Sequence, residues 1–249
     1  MLLGIDTSGA VSIAVARTDL MAGTAEVLAV CSDERARHHD EVLLDLIDRA
    51  LHEAGASRSD LTGVVAGRGP GPFTGLRVGL VAARTIAAVL DIPVYGLCSL
   101  EALAAQALES AHKENAGEGP AGAEPGGSSG PTIAVALDAR RREVYYARYE
   151  AAADGALTCV DGPAVAAPAE VAAQLTASDH LVGSGCELYP DLLPATAPLH
   201  HADAGFLLRA AARRLAAGED LSDTSPLYLR EPDAAKPTAR KSALGLGPR

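Results

Sequence analysis

The chain is 249 residues long, enough for one large domain or two medium ones, and 48% of it is hydrophobic, so a sizeable core is expected. Aromatics make up 3%, with no Trp, and the formal net charge is −11. That balance argues against a chain that grips nucleic acid on its own, which needs a basic face to release counterions or aromatic platforms to stack bases.

In chain order, "LLGID" is a short apolar run ending on Asp6, "TSG" is a turn, and "VSIAVAR" and "AEVLAVCSDE" read as two more strands. Three early strands with short turns make an antiparallel meander. The start is read as a strand and not a signal peptide, no apolar run is expected to span a membrane, and a cytoplasmic location is expected. From Asp40 to Ala54 the period becomes helical, with Asp40 as N-cap and Gly55 as stop. "LTGVVAGRGPG" is a strand that enters a glycine loop. Thr74 caps a second helix to about Leu90, "IPVYGL" is a strand, and Ser99 caps a third helix to about Lys113.

Residues 114–131, "ENAGEGPAGAEPGGSSGP", read as a flexible linker or insertion. The pattern then restarts. "TIAVALDARRREVYYARYE" echoes the first hairpin and ends its first strand on Asp138, and "HLVGSG" echoes "GVVAGRG". A helix from about Asp203 to Ala217 follows, then the extended "SPLYLREP" and a basic tail expected to be disordered. This layout predicts an α/β protein of two duplicated lobes, each a mixed sheet flanked by helices. Such is the actin-like (ASKHA, ribonuclease H-like) architecture. The expected division is an N-terminal lobe over 1–113, the linker over 114–131, a C-terminal lobe over 132–232 and a tail over 233–249.

The glycine loop matches neither phosphate motif. From Gly67 the sixth position is Pro72 and from Gly69 it is Thr74, no Lys lies nearby, and Pro70 and Pro72 offer no N–H. A stiff elbow that aims the following helix is the plainer reading. That helix carries Gly75 and Gly79 four apart, then Ala82, Ala83 and Ala87, a small-residue face that lets another backbone come close. On the preceding helix, Val42, Leu43, Leu46, Ile47 and Ala50 belong to an apolar arc of about 200°, against the little over 100° that a helix on one core needs. Burial on two sides, sheet and partner, is one reading; full burial within the lobe is the other. Spacing leaves open which side of each helix faces out.

Candidate chemistry is sparse. The adjacent pairs His38–His39 and His200–His201 lack ligand spacing, and Cys31, Cys98, Cys159 and Cys186 are far apart and read as small buried hydrophobes. Asp6, Thr7, Ser8 and Asp138 stand where a vestigial nucleotide site would be, although Ser8 occupies a position where an actin-like phosphate loop wants Gly. No catalytic constellation and no metal site is expected.

The segments "GIDTS", "HHDEVLLDLID", "GRGPGPFTGLRVGL", "IPVYGLCSLEALA", "ALDARRREVYYARY" and "PLYLREPD" resemble the TsaB (YeaZ) family over nearly the whole chain except linker and tail. The family loop commonly has Ser where Pro72 stands. The resemblance implies a two-lobe actin-like fold and a noncatalytic scaffold. That scaffold pairs with TsaD, together with TsaE, for transfer of a threonylcarbamoyl group to the adenosine beside the anticodon of tRNAs reading codons that begin with A. It implies a homodimer when alone, tRNA reached only through the complex, no cofactor of its own, and a nucleotide, ATP or ADP, at the joint with TsaD. The implied pairing surface uses the first two helices, with Val42, Leu43 and Leu46 on one and Gly75, Arg77 and Gly79 on the other. Ile47, Ala50, Ala82 and Ala83 extend it. The alternative is an independent ATP-using enzyme, a small kinase or ATPase of the actin-like class.

Overall fold

The fold is described from a computed structural model, which covers residues 1–34, 39–117 and 130–230. Most of the expected linker and all of the tail over 233–249, with Lys236, Arg240, Lys241 and Arg249, lie outside the described residues, as does His38.

Two sheets carry the structure. Strands β1 (Leu2–Asp6), β2 (Val11–Asp19) and β3 (Thr24–Asp33) form the expected antiparallel meander, and β4 (Gly63–Gly67) and β5 (Val94–Leu97) add parallel strands in the order β3-β2-β1-β4-β5. In the second sheet, β6 (Thr132–Asp138), β7 (Val144–Ala151) and β8 (Leu157–Ala166) repeat the meander, and β9 (His180–Val182) lies parallel to β6, giving β8-β7-β6-β9. The two orders agree through four strands, so the duplication read from the restart of the pattern is real. Apolar residues buried on both faces of β1 and β4 explain their unbroken hydrophobic runs.

Helix α1 (His39–Glu53) and α2 (Phe73–Leu90) pack side by side on one face of the first sheet. α1 ends as expected, with Gly55 at φ 61° and its N–H on the His52 carbonyl. α2 begins one residue before the expected Thr74 cap: Pro72 is the N-cap and no side chain caps the end. α2 is also long and apolar enough to cross a membrane, contrary to the sequence expectation, yet its Leu76, Leu80, Ala83 and Ala87 are buried in the first lobe. It is a core helix.

The helices α3 (Ser99–Gly117) and α6 (Ala204–Ala216) exchange partners. α3 runs on to Gly117 and packs against β6, β7, β8 and β9, so Leu100, Leu103 and Leu108 belong to the core of the second sheet. α6, capped by Asp203 through the Gly205 N–H at 2.7 Å, packs on the far face of the first sheet with Leu207 and Leu208 against Leu2 and Val65. The sequence division at 114–131 places α3 with the first lobe and α6 with the second; each packs on the other sheet. Strand β8, helix α4 (Pro168–Leu175) and helix α5 (Ser184–Leu188) complete the second lobe and were not foreseen. Their stretch of sequence is Ala-rich and short of large apolar residues, so its periodicity is weak.

α3 and α6 touch along the joint between lobes. There Arg214 grips Glu101 bidentately, Nε to Oε1 at 2.7 Å and Nη2 to Oε2 at 2.8 Å, with Glu101 almost fully buried. Burial pushes the Glu101 carboxyl up from its ordinary value, against the pull of Arg214. Arg214→Met is expected to lose about 3–5 kcal/mol, because it strands a buried carboxylate. The folded variant then holds a proton that the unfolded chain releases, so its stability falls as pH rises above the ordinary carboxylate range. Urea unfolding at pH 5 and pH 8 should show a deficit that is larger at pH 8; an equal deficit at both would count against this account.

After α6 the chain runs as a strap, residues 221–230, along the edge of the first lobe. The Gly96 N–H donates to the Leu221 carbonyl at 2.8 Å, which closes the open edge of β5. Arg84 holds Thr224 by Oγ1 at 2.9 Å and by its carbonyl at 2.8 Å. Tyr228 stacks on Phe73 at 4.7 Å between ring centres and accepts from Arg77 Nε at 2.9 Å. The strap ends with Arg230 bonded to the Ala139 carbonyl in the second lobe.

Candidate functional site

Two places could carry function: the cleft between the lobes and the outer face of α1 and α2. The cleft, about 430 Å³, opens between the β1–β2 turn with the glycine loop on one side and the β6–β7 hairpin with α5 on the other. Ser8, Gly71 and Thr74 line the first wall, and Asp138, Arg140 and Glu187 the second.

Of the sequence-predicted nucleotide residues, Ser8 and Asp138 line this cleft and Asp6 and Thr7 do not, and all four are engaged within the fold. Asp6 is 1% exposed and does not line the cleft. Its carboxylate accepts from the Ser8 N–H at 2.9 Å, from Ser8 Oγ at 2.6 Å and from Ser99 Oγ at 2.5 Å. Burial pushes its pKa up, and the donors from Ser8 and Ser99 pull against that. Ser99 thus opens α3 while its hydroxyl serves Asp6. Thr7 Oγ1 donates to the Gly75 carbonyl at 2.8 Å. Asp138 accepts from the Arg140 N–H at 2.8 Å and pairs with its guanidinium at 3.2 Å, so it holds the hairpin turn.

The glycine loop is the elbow that its prolines suggested. At Gly71 an added Cβ would lie 2.4 Å from the Ser8 carbonyl oxygen, and at Gly79 it would lie 2.3 Å from Thr7 Oγ1. These glycines let the loop and the first turns of α2 press onto the Asp6–Thr7–Ser8 turn. The small-residue face is therefore turned inward. Gly75, Gly79 and Ala83 are buried in the first lobe, and Ala82 is half-buried against the same core.

The predicted α1 residues turn inward too. Leu43, Leu46, Ile47 and Ala50 are buried on the first sheet, and Val42 packs half-buried beside them. The expectation that these side chains face a partner is corrected: of the two readings of the wide apolar arc, burial within the lobe accounts for them. Arg77 does face out, with its guanidinium 3.8 Å above the Phe73 ring. Among the described residues, the large apolar side chains left exposed on this pair of touching helices are Leu44, 64% exposed, on α1, with Val81 at 60% and Val89 at 76% on α2. Leu44 is as apolar as Leu43 and Leu46, and nothing in the spacing separates it from these buried neighbours.

The other candidates are dispersed. His200 Nδ1 lies 3.5 Å from Glu187, and His201 is half-buried with its pKa lowered by burial. Among the described residues, no three His, Cys, Asp or Glu side chains gather as a metal-holding group. Cys31 and Cys186 are buried, as read, and Cys98 is half-buried, but Cys159 is exposed on β8. Burial pushes the Cys98 thiol up to about 11 and Cys186 to about 12, which leaves them protonated and unreactive at neutral pH.

Two duplicated mixed sheets flanked by helices, with a cleft between them, define the class: an actin-like, ribonuclease H-like α/β protein. Solved YeaZ from Pseudomonas aeruginosa superposes with a TM-score of 0.70 at 28% identity, over 92% of this chain and 99% of that one. Residues 30–189, more than half of the chain, match the model of the family described as "TsaD: tRNA N6-adenosine threonylcarbamoyltransferase". An uncharacterized protein of Mycobacterium tuberculosis is 39% identical over 206 residues, 82% of this chain and 80% of that protein. The Escherichia coli "tRNA threonylcarbamoyladenosine biosynthesis protein TsaB" is 29% identical over 74% of this chain and 71% of its own length. The chain belongs to this family and, within it, to the TsaB (YeaZ) group.

Proposed function

We propose that this chain is the noncatalytic partner subunit of a tRNA threonylcarbamoyltransferase. It works in the cytoplasm, pairing with a TsaD-type transferase and acting with TsaE to place the threonylcarbamoyl group on the adenosine beside the anticodon of tRNAs that read codons beginning with A. One observation carries the reading beyond the names of its relatives. The vestigial nucleotide residues are built into the fold, whereas the helix pair α1–α2 leaves Leu44, Val81 and Val89 in solvent. Large aliphatic side chains set on two rigid neighbouring helices suit a helical partner surface. When the transferase is absent, a second copy of the chain takes that surface and gives a homodimer. A nucleotide, ATP or ADP, then belongs to the joint of the heterodimer and not to this chain alone.

The alternative, an independent ATP-using enzyme, needs an Asp open to Mg²⁺ at the β1–β2 turn, and Asp6 is closed off by Ser8 and Ser99. The test is co-purification with the TsaD-type transferase of the same organism, followed by tRNA modification in vitro with each protein omitted in turn. The expected result is a stable complex and no modification by either protein alone. Modification that proceeds equally well without this chain would end the proposal.

A further inference from the structure

Strands β3, β4 and β5 run the same way in the first sheet, and β3 and β4 end level with one another at the Asp6 end of β1. Helices α1 and α2 are the crossovers that return along one face of that sheet, so they run the same way and start level. Successive helical residues turn by about 100°, which orders the exposed side chains across the pair. On α1, Asp45 shares the outer flank with Arg49, whose Nε donates to Cys31 Sγ on the edge strand β3 at 3.3 Å. Leu44 stands on the flank toward α2. On α2, Val81 and Val89 face out. Arg77 and Arg84 lie on its far flank, where the strap meets them through Tyr228 and Thr224. From one flank of the pair to the other, the surface is acidic, then apolar, then cationic.

The other charges on α1 are matched within the chain: Asp48 pairs with Arg58 at 2.7 Å and Arg49 with Glu53 at 3.1 Å. Among the described residues, none forms a hydrogen bond or ion pair with the Asp45 carboxylate. Arg77 donates Nε to the Tyr228 hydroxyl at 2.9 Å and lies 3.8 Å above the Phe73 ring, which leaves its terminal nitrogens for another acceptor. Both Asp45 and Arg77 are exposed. A guanidinium braced in this way gives up little freedom when it pairs, and its fork matches a carboxylate. Two copies of a chain of net charge −11 repel one another, so self-association needs opposite charges where they touch. This face supplies both.

We infer that the homodimer included in the function proposed above, on which this rests, is a two-fold pair in which Arg77 of each copy meets Asp45 of the other. A two-fold interface joins the same patch on both copies. With the axis in the plane of contact and along the helices, α1 of one copy lies over α2 of the other and runs the same way. The acidic flank then covers the cationic flank twice, and Leu44 and Val81 are enclosed between the two contacts. Asp45 and Arg77 both lie in the second turn of their helices, so they meet at one level. An axis across the helices would instead set Asp45 on Asp45 and Arg77 on Arg77, and like charges oppose that arrangement.

The test is sedimentation of the full chain, without the transferase, over a range of concentrations. Arg77→Asp and Asp45→Arg are made separately, and circular dichroism melts check that each stays folded. Each variant alone is expected to dimerise about a hundredfold more weakly than the wild type, because the two-fold repeats every like-charge contact. An equal mixture of the two variants joins opposite charges at both contacts, and it is expected to recover to within about tenfold of the wild type. Variants that each dimerise like the wild type overturn the inference. So does a mixture as weak as its components, since the two charges would then face something other than each other. A wild-type chain that stays monomeric overturns it as well. Co-purification with the transferase is read separately, so the pairing proposed there can stand where this one fails.

Discussion

Leu46→Asp is expected to unfold the first lobe, whereas Leu44→Asp with Val81→Asp is expected to leave it folded and to weaken pairing with the proposed transferase partner. The three side chains lie on the same two helices, and only burial separates them. Leu46 is 6% exposed within the cluster that joins α1 to β1, β2 and β3. An aspartate there would be an unpaired charge in an apolar core, on the order of 5 kcal/mol of destabilisation, comparable to the whole stability of a domain. Leu44 and Val81 stand 64% and 60% exposed, so charges at these sites should change stability by only about 0.5 kcal/mol. In a desolvated partner contact the same charges should weaken association by at least about thirtyfold. Circular dichroism melts and sedimentation with and without the transferase separate the two outcomes. Should Leu44→Asp/Val81→Asp pair like the wild type, the outer face of α1 and α2 is not the docking surface.

Asp6→Ala is expected to destabilise the chain by about 3–5 kcal/mol, because it strands the Ser8 N–H and the Ser8 and Ser99 hydroxyls in a buried site. For a protein of this size that lowers the melting temperature by on the order of 10 °C. The carboxylate ties the end of β1 to its own turn and, through Ser99, to the start of α3, which packs on the other sheet. Its loss therefore loosens the joint between lobes. Calorimetry with Mg-ATP should show no binding by the wild type and hence none to lose. If Asp6→Ala melted like the wild type but abolished a nucleotide binding that the wild type shows, Asp6 would be a ligand-binding residue and the noncatalytic reading would fail.

These two experiments mark where sequence reasoning stopped. The repeated strand–Asp–turn pattern stood out because residues adjacent in sequence form each hairpin, and β-alternation is a local property. Helix limits were legible for the same reason, since Gly55 and Asp203 act within one turn. The facing of α1 and α2 was not. Leu43, Leu44, Leu46 and Ile47 are chemically alike, and which of them meets the sheet depends on the rotation of the helix about its axis. That rotation is set by strands that are distant in sequence, β1, β2 and β3 before the helix and β4 after it. The glycine face was read as an approach surface, correctly in kind, but the backbone that it admits is the chain's own Thr7 turn.

By itself the sequence determined the duplicated α/β plan, the order of the elements outside the stretch that forms β8, α4 and α5, and the family. All are recorded in neighbouring residues: alternation, helical period, turn chemistry and quoted motifs. Only the tertiary structure decided that α3 and α6 trade sheets, that Asp6 is sealed between Ser8 and Ser99, and that Leu44, Val81 and Val89 stay exposed. Burial is a property of the packed whole: an apolar side chain leaves water against whichever surface the rest of the chain presents, and no local pattern records that surface.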